Sequence, residues 1–245
     1  LFGMVEGSVK NLTVQGQLTT GNTTALVVSL LGGNGTMEYC TAEGSVNGSA
    51  TVGGIVADVK STEAQVSHCT NQASVTGGSS MLVGGIAGST SGTISHSLNY
   101  GAVTGLQNDP DYPPTSYIVG GIAGAKSGKT ARIEHCANMG MVSAPTGKIG
   151  GIVGRLANGT IANCYNVGAV TSGADNATAH SVIGFKENET TSQIKITFVN
   201  NYYLSGDGLL TDPLATAKTA QEFASGSVAR LLNGSDGTTE TAAGA

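Results

Sequence analysis

One feature constrains this chain more than any other: it repeats itself at about 28 residues. Four segments show it directly, Val66-Ser67-His68-Cys69-Thr70-Asn71, Ile94-Ser95-His96-Ser97-Leu98-Asn99, Ile133-Glu134-His135-Cys136-Ala137-Asn138 and Ile161-Ala162-Asn163-Cys164-Tyr165-Asn166. With the Cys position as reference, equivalent residues fall at Leu12, Cys40, Cys69, Ser97, Cys136, Cys164 and Tyr202. Three residues earlier stands an aliphatic column of Val9, Met37, Val66, Ile94, Ile133, Ile161 and Val199. Six residues later Leu18, Val46, Val75, Val103, Val142 and Val170 form another. A second block, Val-Gly-Gly-Ile, begins at Val52, Val83 and Val119 and returns as Ile-Gly-Gly-Ile from Ile149. A period of this length signals a solenoid, in which one repeat cannot close a core and must bury its apolar face on its neighbours.

Each repeat carries short aliphatic runs bounded by Gly, Asn, Ser or Thr, too short for helices, so the runs read as strands separated by turns. Stacked at the inter-strand spacing of about 4.8 Å, seven coils give a rod of roughly 30 Å. The predicted fold is therefore an all-β parallel β-solenoid, right-handed by the usual preference of parallel crossovers. Composition agrees. Aromatic residues make up only 4% of the chain and Trp is absent, so the core must be narrow and filled with aliphatic side chains. The glycine four residues after the reference position predicts a bend with positive φ. Asn71, Asn99, Asn138 and Asn166 predict a turn column that tolerates left-handed geometry and bonds coil to coil.

Residues 1–208 are assigned to the solenoid, with insertions of about ten residues near 106–117 and 186–193. Residues 209–234 are assigned to a helical cap: Thr219-Ala220-Gln221-Glu222 fits a capping box, and a cap would cover strand edges that otherwise invite aggregation. Residues 235–245 read as a tail or linker. The chain starts at Leu1-Phe2-Gly3 and looks like a piece of something longer.

The blocks Val-Gly-Gly-Ile-Ala-Gly and Ile-x-His/Asn-Cys-x-Asn-x-Gly-x-Val resemble the GLUG repeats of large bacterial surface proteins, from about Val9 to Tyr203. Those include adhesin-like proteins and the non-catalytic parts of immunoglobulin A-cleaving metallopeptidases. The resemblance implies an extracellular or cell-surface β-helical module and carries no catalytic residue with it. The peptidase signature His-Glu-x-x-His is absent from the sequence.

Function classes separate on chemistry. Eleven Lys and Arg against sixteen Asp and Glu leave no footprint for nucleic acid. No apolar run approaches a membrane span. The four cysteines share one repeat position, which reads as stacking, with buried free thiols favoured over disulfides. His68, His96 and His135 on successive coils raise the question of a metal, but Asn11, Tyr39, Asn163 and Asn201 occupy the same column, so an outward polar column is the reading. Glu38 and Glu134 share a column with Ser67 and Ser95 between them, so no carboxylate pair for acid/base work is assigned. A Thr column at Thr36, Thr93 and Thr160, of the kind that orders ice, is interrupted by Ser8, Gln65, Arg132 and Phe198. The expectation is a chain with no catalytic residue, cofactor or metal. The first insertion, with Asp109, Asp111, Tyr112 and Tyr117, is the candidate ligand loop, suited to a host or matrix protein or a glycan. The alternative is an accessory repeat domain of a surface peptidase or glycan-active enzyme.

Overall fold

The computed structural model describes residues 1–78, 82–106, 117–173, 178–189 and 193–234. The chain adopts the all-β parallel solenoid that its period demands. Every strand pair is parallel, and each coil passes in turn through four sheets, here A to D. In the third coil these are Val56–Val59, Gln65–Ser67, the split pair Thr70–Asn71 and Ser74–Gly77, and Leu82–Gly84. Sheets A and B hold seven strands each and sheet D six, which makes six complete coils and a partial seventh.

Register puts like on like: Met37 pairs with Val66, Val66 with Ile94, Ile94 with Ile133 and Ile133 with Ile161. All five are fully buried. The Ile column of the Gly-Gly-Ile block propagates through backbone bonds at the turn, Ile55 N–H to Ile86 O, Ile86 to Ile122 and Ile122 to Ile152. Such ladders remove each aliphatic side chain from water at about 25 cal/mol per Å² of apolar area, which a single coil could not achieve.

Polar residues inside the rod also stack. The Asn71, Asn99, Asn138 and Asn166 side chains form one ladder, the Nδ2 of each of the first three donating to the Oδ1 above it at 2.7 Å. Each Nδ2 also donates to the carbonyl two residues on, closing the bend that splits sheet C into two short strands per coil. Across the interior, a Cβ at Gly54, Gly85, Gly121 or Gly151 would lie 2.3–2.4 Å from atoms of the facing Asn side chain. The second glycine of each Gly-Gly-Ile block therefore makes room for the amide ladder.

Positive φ lies elsewhere than expected. The glycines after the bend are required for close approach: a Cβ on Gly101 would sit 1.9 Å from Ala73 O, and one on Gly140 2.0 Å from Gly101 O. In that column only Gly44 has positive φ. The left-handed corner is instead the position just before the cysteines. Asn11, Tyr39, His68, His96, His135, Asn163 and Asn200 all have φ between 48° and 55°, a region in which Asn and His are enriched among non-glycine residues.

That column also corrects the register of the last coil. Ile161 pairs with Phe198 and Ala162 with Val199, so the reference residue is Asn201 and not Tyr202, and the corner is Asn200 and not Asn201. Asn201 accepts the Cys164 N–H through Oδ1 at 3.1 Å, as Ser97 Oγ accepts that of Cys69 at 3.1 Å. The Thr column likewise continues from Thr160 to Thr197.

At the C-terminal end the stack runs past residue 208. Thr216–Lys218 adds to the strand Tyr202–Leu204, and Thr211 O accepts the N–H of Ser181. The buried Asp212 carboxylate takes the Val182 and Ile183 N–H groups through Oδ2 at 2.9 and 2.7 Å. One coil below, Val182 O takes the N–H groups of Ile152 and Val153 in the same way. Asp212 thus stands in for the carbonyl of a further coil. Helices α1 (Ala220–Ala224) and α2 (Ser227–Leu232) follow, and Thr219 and Glu222 complete the capping box. Residues 235–245 lie outside the described residues.

Candidate interaction surface

The first insertion is only partly visible: Asp109, Asp111 and Tyr112 lie outside the described residues. Tyr117, at its end, is 2% exposed, and its carbonyl accepts the Lys148 N–H at 2.8 Å. Its ring is part of the packed interior beside sheet D rather than a surface contact.

The cysteines are all buried free thiols. Burial pushes the Cys136 thiol up, and Cys69 is raised by its hydrogen bond to Cys40 and by burial. Neither has the thiolate character of a nucleophile.

Outward-facing chemistry concentrates in two places. The first is the left-handed corner, where Tyr39, His68, His96 and His135 form a continuous ring stack with centroids 4.7, 4.9 and 4.9 Å apart. Asn163 continues it, with Nδ2 3.4 Å from His135 Nε2, and Asn200 donates to Asn163 at 3.3 Å. Burial, then the neighbouring His135 and His68, hold His96 below its ordinary value. Equivalent nitrogens on parallel rings at this spacing are further apart than the ~4.2 Å that two ligands of one zinc ion can span. Among the described residues no group of three His, Cys, Asp or Glu is placed to hold a metal.

The second place is a groove of about 520 Å³ on the outer face of sheet B, over Arg132–Glu134, Gly159–Ala162 and Ile196–Val199. Lys129, Arg132 and Lys195 bring three cations to it, and Thr130, Thr160 and Thr197 bring hydroxyls. Arg132 Nε is 2.6 Å from Glu134. The sequence hid this site because its residues do not share a column: Lys129 comes from a turn, Arg132 from a strand face and Lys195 from the return of the second insertion.

A hydrogen-bonded layer anchored on a buried lysine holds the rim. Lys126 is fully buried, and its Nζ donates to Gly128 O at 3.1 Å and Asn158 O at 2.7 Å. In the coil below, Thr90 occupies the same register and donates to Gly92 O, also two residues on. Gly159, at φ 86°, leaves the space, since a Cβ there would stand 2.0 Å from Lys126 Nζ. Asn158 in turn accepts the Lys195 N–H through Oδ1 at 2.9 Å and donates to Gln193 O at 2.9 Å. Gly128, Lys126, Asn158 and Lys195 are therefore linked in one chain of hydrogen bonds running beneath the groove. Burial, and secondarily Arg132, lower Lys126 to about 7.

No family model matches the chain, so its resemblance to GLUG repeats rests on the motifs alone. No curated protein matches it in sequence. Among the described residues no helix is long and apolar enough to cross a membrane. Among solved structures, the crystal structure of a protein from Bacteroides ovatus, named a "putative immunoglobulin A1 protease", superposes with a TM-score of 0.66 at 18% identity. The match covers 93% of this chain and 70% of that one, and at this identity it establishes a shared solenoid fold.

Proposed function

We propose that this chain is a non-catalytic structural and interaction segment of a bacterial cell-surface or secreted protein, adhesin-like in the manner of the GLUG repeats it resembles. The observation that carries the reading is the braced groove on sheet B. Inside the rod polar groups are consumed internally: every buried side-chain nitrogen and oxygen of the described residues has a partner. In the groove, cationic and hydroxyl groups are held at the surface by a hydrogen-bonded layer anchored on the buried Lys126, as a binding site requires. The second reading is an accessory repeat domain of a surface peptidase or glycan-active enzyme. The likeness to the Bacteroides ovatus protein favours it.

The test is binding of the purified rod to arrays of host glycans and extracellular-matrix proteins, together with incubation of the rod with immunoglobulin A1. Selective binding without cleavage is expected. Cleavage of immunoglobulin A1 by the rod alone, removed by none of the usual steps that strip contaminating proteases, would overturn the non-catalytic reading. A variant with residues 107–116 replaced by a short Gly-Ser turn, which keeps the packed Tyr117, shows whether the first insertion contributes.

A further inference from the structure

We propose that the groove on sheet B binds an acidic saccharide, a sugar bearing a carboxylate or sulfate, with Lys129, Arg132 and Lys195 receiving the anion. The proposal rests on the interaction reading and assigns its ligand class. Its volume of about 520 Å³ falls in the range of small-ligand sites. Three of the chain's eleven basic residues meet there, although the chain as a whole carries a net charge of −5. The lining contains no Asp or Glu; Arg132 is paired through Nε with Glu134 at 2.6 Å, and a guanidinium carries five N–H donors, more than one carboxylate takes.

The lining favours a sugar over a peptide. The strands Arg132–Glu134 and Gly159–Ala162 are paired on both sides, so over them the backbone offers no edge for strand addition, and only Ile196–Val199, the last strand of sheet B, keeps one. Beside the cations and the apolar Ala162 and Val199, what faces the ligand is the hydroxyls of Thr130, Thr160 and Thr197, groups that both donate and accept and so match sugar hydroxyls. Lys126 and Asn158 are positioning residues. They fix the backbone at Gly128 and Lys195, on which two of the three cations depend, and thereby reduce the ordering cost of binding. A glycan array alone would blur charge with recognition, so the decisive experiment separates them.

Calorimetric titration of the full chain with a galacturonate trisaccharide, 3′-sialyllactose and a heparin-derived hexasaccharide is set against lactose and hexaglutamate. The expected result is binding of at least one acidic saccharide and not of lactose. Combined Lys129→Gln, Arg132→Gln and Lys195→Gln should weaken that binding by about fifty-fold or more, from charge-assisted bonds that each contribute on the order of tenfold. Lys60→Gln, a cation elsewhere on the rod, should change it less than about twofold, and circular dichroism should be the same for all variants. Binding unaltered in the triple variant, or no acidic saccharide bound, overturns the groove. Hexaglutamate bound as tightly and lost in the same variant overturns the sugar assignment. Array binding lost only when residues 107–116 are replaced leaves the interaction reading standing while the groove falls. Absence of binding on every array and in every titration removes both.

Discussion

The first two coils and the four above them solve the same packing problem with different chemistry. In the lower coils sheet C runs unbroken, as Thr13–Thr19 and Thr41–Gly48, while in the middle coils the Asn ladder splits it. Register places Ala42 directly under Asn71 and Leu26 directly under Gly54. Where Asn gives way to Ala, the facing Gly gives way to Leu. At the end of the sheet A strands the polar stretch is shorter: Thr90 and Lys126 stand between Leu31 and Val59 below and Leu156 above. The lower coils fill the interior with apolar volume, and the middle coils fill it with polar side chains that satisfy the backbone. Volume across the rod is the conserved quantity, as close packing demands.

The largest expected effect comes from cutting the polar solution at its centre. Asn99→Leu removes the bonds to Asn71, Asn138 and Gly101 and drives a branched side chain at Gly85. A loss of about 5 kcal/mol is expected from urea unfolding, and a loss below ~1.5 kcal/mol would show that the ladder is only filler.

Next is the exchange of one solution for the other. Leu26→Gly should cost about 4 kcal/mol by cavity formation and Ala42→Asn a further ~2 by overpacking. Together they rebuild a fifth rung of the ladder, and the double variant should recover at least about 1.5 kcal/mol relative to the sum. Strict additivity would break the claim that the two positions trade volume.

Lys126 sharpens the comparison through pH. Its folded value near 7 lies below the ordinary 10.5, so between those limits the unfolded chain binds more protons and stability rises with pH. Below pH 7 the penalty is fully present. Lys126→Met should remove a rise on the order of 3 kcal/mol between pH 7 and 10, read as the difference between wild-type and variant urea curves; parallel curves would place the ammonium in solvent.

The smallest effects belong to the left-handed corner. His96→Val should cost roughly 1–2 kcal/mol because a β-branched residue is strained at φ 48°, whereas His96→Asn should be nearly neutral by thermal melt. Because His96 is held below its ordinary value, the unfolded state takes its proton first as pH falls. Stability should therefore decline as pH drops below about 6.5, and less so in His96→Asn.

Much of this was legible in particular residues. The Val66, Ile94, Ile133 and Ile161 column declared its burial and pairing at once, because a period-matched aliphatic column has no other use. The Asn column was legible as a coil-to-coil bond, although its backbone is not left-handed. The corner was misassigned to the glycines because glycine signals either positive φ or lack of space, and sequence does not separate the two. The shift from Tyr202 to Asn201 followed from aligning a coil whose preceding insertion obscures the count. The groove was not legible: Lys129, Arg132 and Lys195 are unremarkable apart, and they converge only when the turn, the strand and the insertion's return are stacked.

The sequence by itself determined the period, the parallel stack and the identity of the inner columns, since residues one repeat apart are forced into contact whatever the cross-section of the coil. Tertiary structure decided what lies across the rod: the Gly–Asn and Leu–Ala exchange, the reach of Lys126 to Asn158, and the groove above them. Those contacts join positions with no fixed spacing along the chain, and only the folded cross-section brings them within a hydrogen bond of each other.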